Sequence, residues 1–465
     1  MAAPTIKQPN KHFTPTLYEG NGTAIGSGGK TITGLEFKPD LVWIKNRDAT
    51  DSHSLYDSSR GATKQLESDT TTAESTESEG LTSFTSDGFT LGSLAQVNTN
   101  NESFVAWSWK ASGGSAPSIT YTVKVVSDSG NKYRFDDFGT SAVTLDLQEG
   151  GTYTFDQSDS SNATHPLRFY TAADKSGGEY TTGVTTNGTP GSSGAYTRIT
   201  VAASAPTLYY QCSSHAAMGG AVNTNSTFGS SNFAGSIQST VQTNSDAGFS
   251  IVKYTGTGSA GTVGHGLSSA PEWVMTKSIS NDTSDGFTTY HTGLTSASYY
   301  IDLSKTNAQN SASVVWNGTA PTSSVFSIGS ATGTNTSSAT YVAYCWHGVD
   351  GFSKFGKYTG TGSNPGPFIY TGFKVSWLLV KANNAANWYL CDDARSPINP
   401  LTTFLHPDRS DADYSNFGRG FDFLSNGFKV RQESGYGNNY SGVDTFYMAF
   451  AELPFFDDQS PVTAR

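Results

Sequence analysis

Tyr18-Glu-Gly-Asn-Gly22 returns as Tyr254-Thr-Gly-Thr-Gly258 and again as Tyr358-Thr-Gly-Thr-Gly362. This Tyr-x-Gly-x-Gly stretch decides the fold, because an internal repeat sets the architecture before any single element does. No helical pattern follows it, so it is not a phosphate loop, and its glycines suit a turn or bulge between strands. The second and third copies, at Tyr254 and Tyr358, start 104 positions apart, whereas the first and second, at Tyr18 and Tyr254, start 236 apart. A small β-sandwich takes about a hundred residues, so another domain is inserted after the first copy.

Other landmarks recur in the same order. A strand apolar on both faces, and therefore buried, reads Leu41-Val-Trp-Ile-Lys45, Trp273-Val-Met-Thr-Lys277 and Trp377-Leu-Leu-Val-Lys381. Next come Gly88-Phe-Thr-Leu91, Val325-Phe-Ser-Ile328 and Gly427-Phe-Lys-Val430. Each unit closes on Phe104-Val-Ala-Trp-Ser-Trp109, Tyr341-Val-Ala-Tyr-Cys-Trp346 or Tyr447-Met-Ala-Phe450, aligned on Ala106, Ala343 and Ala449. Short strands between Gly/Asn/Ser turns indicate sandwiches. The expected fold class is all-β, with three related, jelly-roll-like sandwiches and a fourth sandwich as the insert. The expected boundaries are an N-terminal arm (1–14), repeat one (15–112), the insert (113–220), a linker strand with repeat two (221–349), and repeat three (350–465).

Composition narrows the function classes. Charged residues are 14% of the chain, against about 25% in an ordinary globular protein, and Gly numbers 50. Aromatics at 12% are too many for a disordered chain. A net charge of −11 argues against nucleic acid as a partner, since phosphate binding needs a basic footprint. No apolar run reaches the ~18 residues of a membrane span. The N-terminus lacks the apolar segment of a secretory signal, and three cysteines do not make a disulfide framework. Synthesis in a cytoplasm with a surface suited to extracellular life fits a virus particle released by lysis.

The insert holds the candidate chemistry. Tyr209-Tyr-Gln-Cys-Ser-Ser-His-Ala-Ala-Met-Gly-Gly220 spaces Cys212, His215 and Met218 as C-x2-H-x2-M, and His165 lies upstream after the strand Tyr153-Thr-Phe155. Two imidazoles, a thiolate and a thioether are the ligand set of a trigonal copper centre. The alternative reading is a buried strand cysteine with His215 and Met218 as ordinary loop residues. Over residues 116–220 the sequence resembles the cupredoxins. The resemblance implies a Greek-key β-sandwich with copper held by His165, Cys212, His215 and Met218. Pro166 and the long polar insertion from Lys175 to Ala195 depart from that family and bear on electron transfer more than on metal binding.

Elsewhere, Asp57-Ser-Ser-Arg60 and Asp392-Asp-Ala-Arg395 occupy equivalent places, with His291-Thr-Gly-Leu294 in repeat two. Each reads as a local pair shaping a loop, or as a ligand site. Tyr436 and Tyr440 are candidate stacking aromatics at a loop tip. No nucleophile elbow and no zinc-protease motif is present, so no enzyme is expected.

The repeats in turn resemble the tandem Gly/Ser/Thr-rich β-sandwich proteins of tailed marine phages, including cyanophages. The residues carrying this are Phe37-Lys-Pro-Asp-Leu-Val-Trp-Ile-Lys-Asn-Arg47, Tyr56-Asp-Ser-Ser-Arg60, Gly366-Pro-Phe-Ile-Tyr-Thr-Gly-Phe373 and Leu424-Ser-Asn-Gly-Phe428. The resemblance implies a virion structural protein, a tail fibre, spike or surface appendage for host attachment. Its arm would dock on other virion proteins, its loops would meet a host glycan or receptor, and it would form a homo-oligomer, a trimer by fibre logic. Capsid decoration (a cement protein) and a copper-binding or redox protein on a sandwich scaffold are the alternatives.

Overall fold

Each Tyr-x-Gly-x-Gly stretch ends the opening strand of a two-sheet unit and turns the chain towards its second sheet. The structure, a computed structural model, describes residues 6–113, 116–224, 229–281, 285–415, 420–431 and 438–452. The turn needs both glycines. A Cβ at Gly20, Gly256 or Gly360 would sit 2.0–2.3 Å from a carbonyl oxygen of a facing loop, and Gly22, Gly258 and Gly362 have positive φ. The tyrosine hydroxyls of Tyr18, Tyr254 and Tyr358 donate to the carbonyls of Val97, Thr334 and Asn438. Buried Asn98, Asn335 and Asn439 accept the turn N–H groups of Asn21, Thr257 and Thr361.

The opening strands are Phe13–Glu19, Phe249–Thr255 and Ser353–Thr359. Each pairs antiparallel with the closing strand of its unit (Ser103–Trp109, Thr340–Trp346, Asp444–Phe450). The closing strand pairs in turn with Leu41–Asn46, Trp273–Ser278 or Trp377–Ala382, and a fourth strand follows (Ser54–Asp57, Thr288–His291, Tyr389–Asp392). A small sheet covers one face of each large one: Lys30–Ile32 with Gly88–Leu91 and Leu81–Thr85, then Gly261–Gly264 with Val325–Ile328, then Phe368–Tyr370 with Gly427–Val430 and Phe421–Leu424. The fold is all-β, and its α-helices among the described residues are single turns.

The large sheets are buried on both faces because the three of them share one core. Val42, Ile44 and Ala106 face the small sheet of repeat one, while Trp43, Trp107 and Trp109 join residues of repeats two and three. In repeat three Leu378 and Val380 face inward, and Trp377, Leu379 and Phe450 face the shared centre. Trp109 meets Trp346 of repeat two at 6.4 Å and Trp377 of repeat three at 5.5 Å, both edge-to-face. Such pairs add about 0.5–1.5 kcal/mol each beyond area burial.

Polar seams close this arrangement into a ring. Asp57, His291 and Asp392 hold the same register position, opposite Leu41, Trp273 and Trp377. Asp57 accepts from Tyr344 Oη of repeat two (2.6 Å), His291 Nε2 donates to the Tyr447 carbonyl of repeat three (3.3 Å), and Asp392 accepts from Trp107 Nε1 of repeat one (3.1 Å). The contacts therefore run from one to two, two to three and three to one, an internal pseudo-threefold. Arg60 pairs with Asp57, and Arg395 pairs with Asp392 at 2.7 Å while its guanidinium lies 5.6 Å from the Trp107 ring centroid. These pairs are more than the loop shapers their local spacing suggests, since each joins two repeats. Buried lysines add to the seams: Lys277 donates to Thr70 O at 2.6 Å in repeat one, and Lys381 to Thr306 O at 3.1 Å in repeat two.

Two expectations change. The arm does not project from Ile6 onward: Ile6 and Phe13 are buried in the shared core, and Phe13 stacks on Phe450 at 5.2 Å. Burying two apolar side chains is worth a few kcal/mol, so these residues dock inside the chain rather than on a neighbour. Met1 to Thr5 lie outside the described residues. The alignment on Ala449 also shifts. By register, Tyr447 opposite Val380 is the equivalent of Ala106 opposite Ile44 and Ala343 opposite Thr276. Gly356, paired with Tyr447, makes room for the larger ring.

The insert is a separate sandwich with its own aromatic core. One sheet runs Asn131–Phe135, Ser118–Ser127, Thr152–Asp156, Tyr196–Thr200, Val184–Asn187, and the other Leu145–Asp146, Ala221–Asn223, Leu208–Cys212, Leu167–Tyr170. Each sheet contains one parallel pair, which requires the chain to cross between sheets rather than meander. The linker strand expected from residue 221 is divided: Ala221–Asn223 stays with the insert and Ser230–Asn232 joins the large sheet of repeat two.

Candidate metal centre

Cys212 is the last residue of its strand, paired opposite Leu167, and is fully buried. His165 ends the turn before Leu167–Tyr170. That turn begins with a 3-10 segment, Ser160–Asn162, capped by Asp159, and passes through Thr164 at positive φ. Two donors, Gln157 Nε2 and Tyr133 Oη, fix the His165 carbonyl at 2.9 Å each. His215 comes from the loop after Cys212 and is exposed.

These three side chains converge. Cys212 Sγ lies 3.8 Å from His165 Nδ1 and 3.5 Å from His215 Nδ1, and the imidazole centroids are 4.6 Å apart. Their ligand atoms all lie within 4.8 Å of one another, the one such group of three or more His, Cys, Asp or Glu among the described residues. The donor set and spacing fit a metal. Bonds of about 2.3 Å to sulfur and about 2.0 Å to nitrogen, opened to about 110–120°, separate sulfur from nitrogen by about 3.5–3.8 Å. Both rings present Nδ1, and His165 Nε2 faces Asn131 Nδ2 at 3.5 Å on the outer side.

Burial, and secondarily the neighbouring His215, lowers the pKa of His165, favouring the neutral imidazole that binds metals. Burial, and secondarily Cys212, raises that of Tyr133. Met218, the fourth expected ligand, is buried in the same core cluster as Cys212. Its N–H and that of Gly219 donate to Gln211 Oε1, so the residue before the cysteine holds the far end of the loop. Left-handed Ala217 makes the turn between His215 and Met218.

The two departures noted in the sequence serve the loop. The Pro166 carbonyl accepts from Ser213 N at 2.9 Å and ties the two ligand segments together. Lys175, at the start of the polar insertion, donates to the carbonyls of Cys212, Ser213 and His215 at 3.1–3.3 Å. Sequence reasoning missed Lys175, Gln211 and Tyr133, because no spacing rule connects them to the ligands.

The fold and site thus define an all-β protein of three interlocked sandwiches with a fourth that gathers two imidazoles around a buried thiol. A family model described as a domain of unknown function (DUF7483) matches residues 8–155 and 221–454, and the chain belongs to that family. No curated protein and no solved structure matches it. His165, Cys212, His215 and Met218 all fall between the two matched stretches. No helix among the described residues is long and apolar enough to cross a membrane.

Proposed function

We propose that the protein is a non-enzymatic structural protein of a tailed-phage particle, an appendage for host attachment. The observation that carries this reading is the ring of seams. Buried side chains bond from one repeat to the next, as Asp57 does with Tyr344 and Asp392 with Trp107, which suits a rigid structural part. The threefold packing that three fibre chains would supply already exists within one chain, so the unit on the particle is one copy per pseudo-threefold rather than a homotrimer. Capsid decoration is the competing position. Antibody labelling of intact particles by electron microscopy separates the two: label on tail or fibres supports attachment, label over the head supports decoration, and label on no particle sinks the virion reading.

A specific observation favours a second role. The His165–Cys212–His215 cluster supports binding of one copper ion in the insert, with Met218 as the expected weak ligand. Copper bound there supplies one-electron chemistry between Cu(I) and Cu(II). The chain's own part is to hold the thiol dry, orient both Nδ1 atoms through fixed carbonyls and strands, and leave His215 as the entry side. Binding only the folded state also stabilises it. Titration with Cu(II) should saturate at one ion per chain, develop a thiolate-to-copper visible band, and raise the melting temperature. Cys212→Ser should lose the band. A stoichiometry unchanged in Cys212→Ser would end this assignment.

A further inference from the structure

The three repeats carry the same small sheet, and its outer face differs in one of them. In repeat one that face presents Thr31 on the edge strand, opposite Thr90 with Ser83 beyond, and Thr33 just past the strand end. In repeat two the equivalents are Thr262, Gly264 and Ser327, and Ser236 and Ile237 of the preceding segment lie against that strand. In repeat three the same positions are Phe368, Tyr370, Lys429 and Asp422, in register across three strands. Ile369, between the two aromatics, points into the core, so Phe368 and Tyr370 share the outer face and are 46% and 52% exposed.

The two rings are seated rather than loose. A Cβ at Gly427 would come within 3.1 Å of Phe368 Cε2, so the missing side chain leaves Phe368 its place. Gly372, at positive φ, lies beside Tyr370, whose Oη is the nearest atom to its Cβ position at 3.6 Å. Lys354 Nζ donates to the Tyr370 carbonyl at 2.9 Å and lies 5.4 Å from the ring centroid. Arg431, with a 40% exposed side chain, pairs with Asp422 on the same face. Against a chain charge of −11, this patch gathers Lys354, Lys429 and Arg431 around one carboxylate.

We propose that this face of repeat three is a binding platform for an acidic polysaccharide, a chain of pyranose rings bearing carboxylate or sulfate. Two aromatics two residues apart on one strand stand about 6.6 Å apart, in line along the edge. The negative face of an aromatic ring attracts the C–H face of a sugar as it does other positive edges. The cations answer the anionic substituents, and buried Asp422 holds Arg431 in place on that face. The proposal deepens the attachment reading and rests on it for its biological use, but its test does not.

The test is titration of the full chain with alginate, a uronate polymer, and with neutral dextran, followed by calorimetry and affinity electrophoresis. The double variant Phe368→Thr/Tyr370→Thr installs the residues that repeat one carries at these positions, so it preserves the sheet. Alginate binding that weakens tenfold or more in the double variant, and that falls with salt in wild type and less so in Lys429→Thr, is expected. Equal binding by wild type and double variant, or no alginate binding by wild type, overturns the platform. Equal affinity for dextran overturns the acidic assignment. A wild-type mass that drops in the double variant without any glycan would show the face to be a contact between copies, and would also overturn the proposal. None of these outcomes moves the particle-labelling result, so the two readings fail separately.

Discussion

The pseudo-threefold core and the insert both bury polar side chains, but they do so to opposite ends. In the core buried charge is paired and then tied across to another repeat: Arg395 holds Asp392, Asp413 and the Leu390 carbonyl of its own repeat, and Asp392 and Asp413 accept in turn from Trp107 and Arg47 of repeat one. In the insert, a buried thiol faces two imidazoles, one of them exposed, with no counter-charge between them. Full mutual satisfaction makes a seam, whereas convergence of donors on a common point makes a site. The family match covers the seams and the first strands of the insert but skips all four proposed ligands.

The contrast breaks most visibly at Asp392. Asp392→Ala leaves Arg395 in a site where neither side chain is exposed, and losing one partner of a buried pair costs about 3–5 kcal/mol. Urea unfolding should report a loss of that order, whereas Asp392→Leu with Arg395→Met should recover most of it. A single-variant loss under 1 kcal/mol would mean the seams do not hold the repeats together.

Acid should loosen the core next. Burial lowers His265 to about 4 and His291 to about 3. Both are neutral when folded and take up protons on unfolding, so their contribution is intact above about pH 6.5 and is lost as pH falls through 4 towards 3. For His265 alone the linkage is on the order of 3 kcal/mol. Urea midpoints at pH 7, 5 and 4 should fall, and His265→Gln should flatten that fall.

A smaller effect is expected at Asn335. Asn335→Ala strands the Thr257 N–H and the Gly329 and Ser259 carbonyls it serves, for about 1–3 kcal/mol. Asn98→Ala should cost a similar amount, since it holds the same turn in repeat one. Unequal losses would show that the three turns are not energetically equivalent.

The smallest change in stability, and the sharpest for the site, is at Lys175. Lys175→Met removes three donors from the ligand loop while leaving the ligands. It should cost about 1 kcal/mol yet weaken copper binding at least tenfold and broaden the visible band. An unchanged band and affinity would show the loop to be held by Gln211 and Ser213 alone.

Much was legible in the chain because local chemistry repeats. Tyr-x-Gly-x-Gly specified its turn, since only glycine tolerates the approach at Gly20 and the φ at Gly22. The apolar run at Leu41 announced burial on both faces, and C-x2-H-x2-M with an upstream His selected three side chains that do converge. One further signal was readable. Asn98, Asn335 and Asn439 each stand five positions before the closing strands that begin at Ser103, Thr340 and Asp444, though spacing alone gave them no role.

What the sequence could not decide is what covers the second face of each large sheet. Trp109, Trp346 and Trp377 read alike as core residues, but that they form one core depends on how three sandwiches rotate about a common axis. So does the fate of Phe13, which looked like part of a free arm until its partners Trp109 and Phe450 were in place. Local residue chemistry fixes turns, strand faces and candidate ligands over a few residues. Contacts between units hundreds of residues apart are set by packing shape and by the pairing of buried charge, and these exist only once the chain has closed.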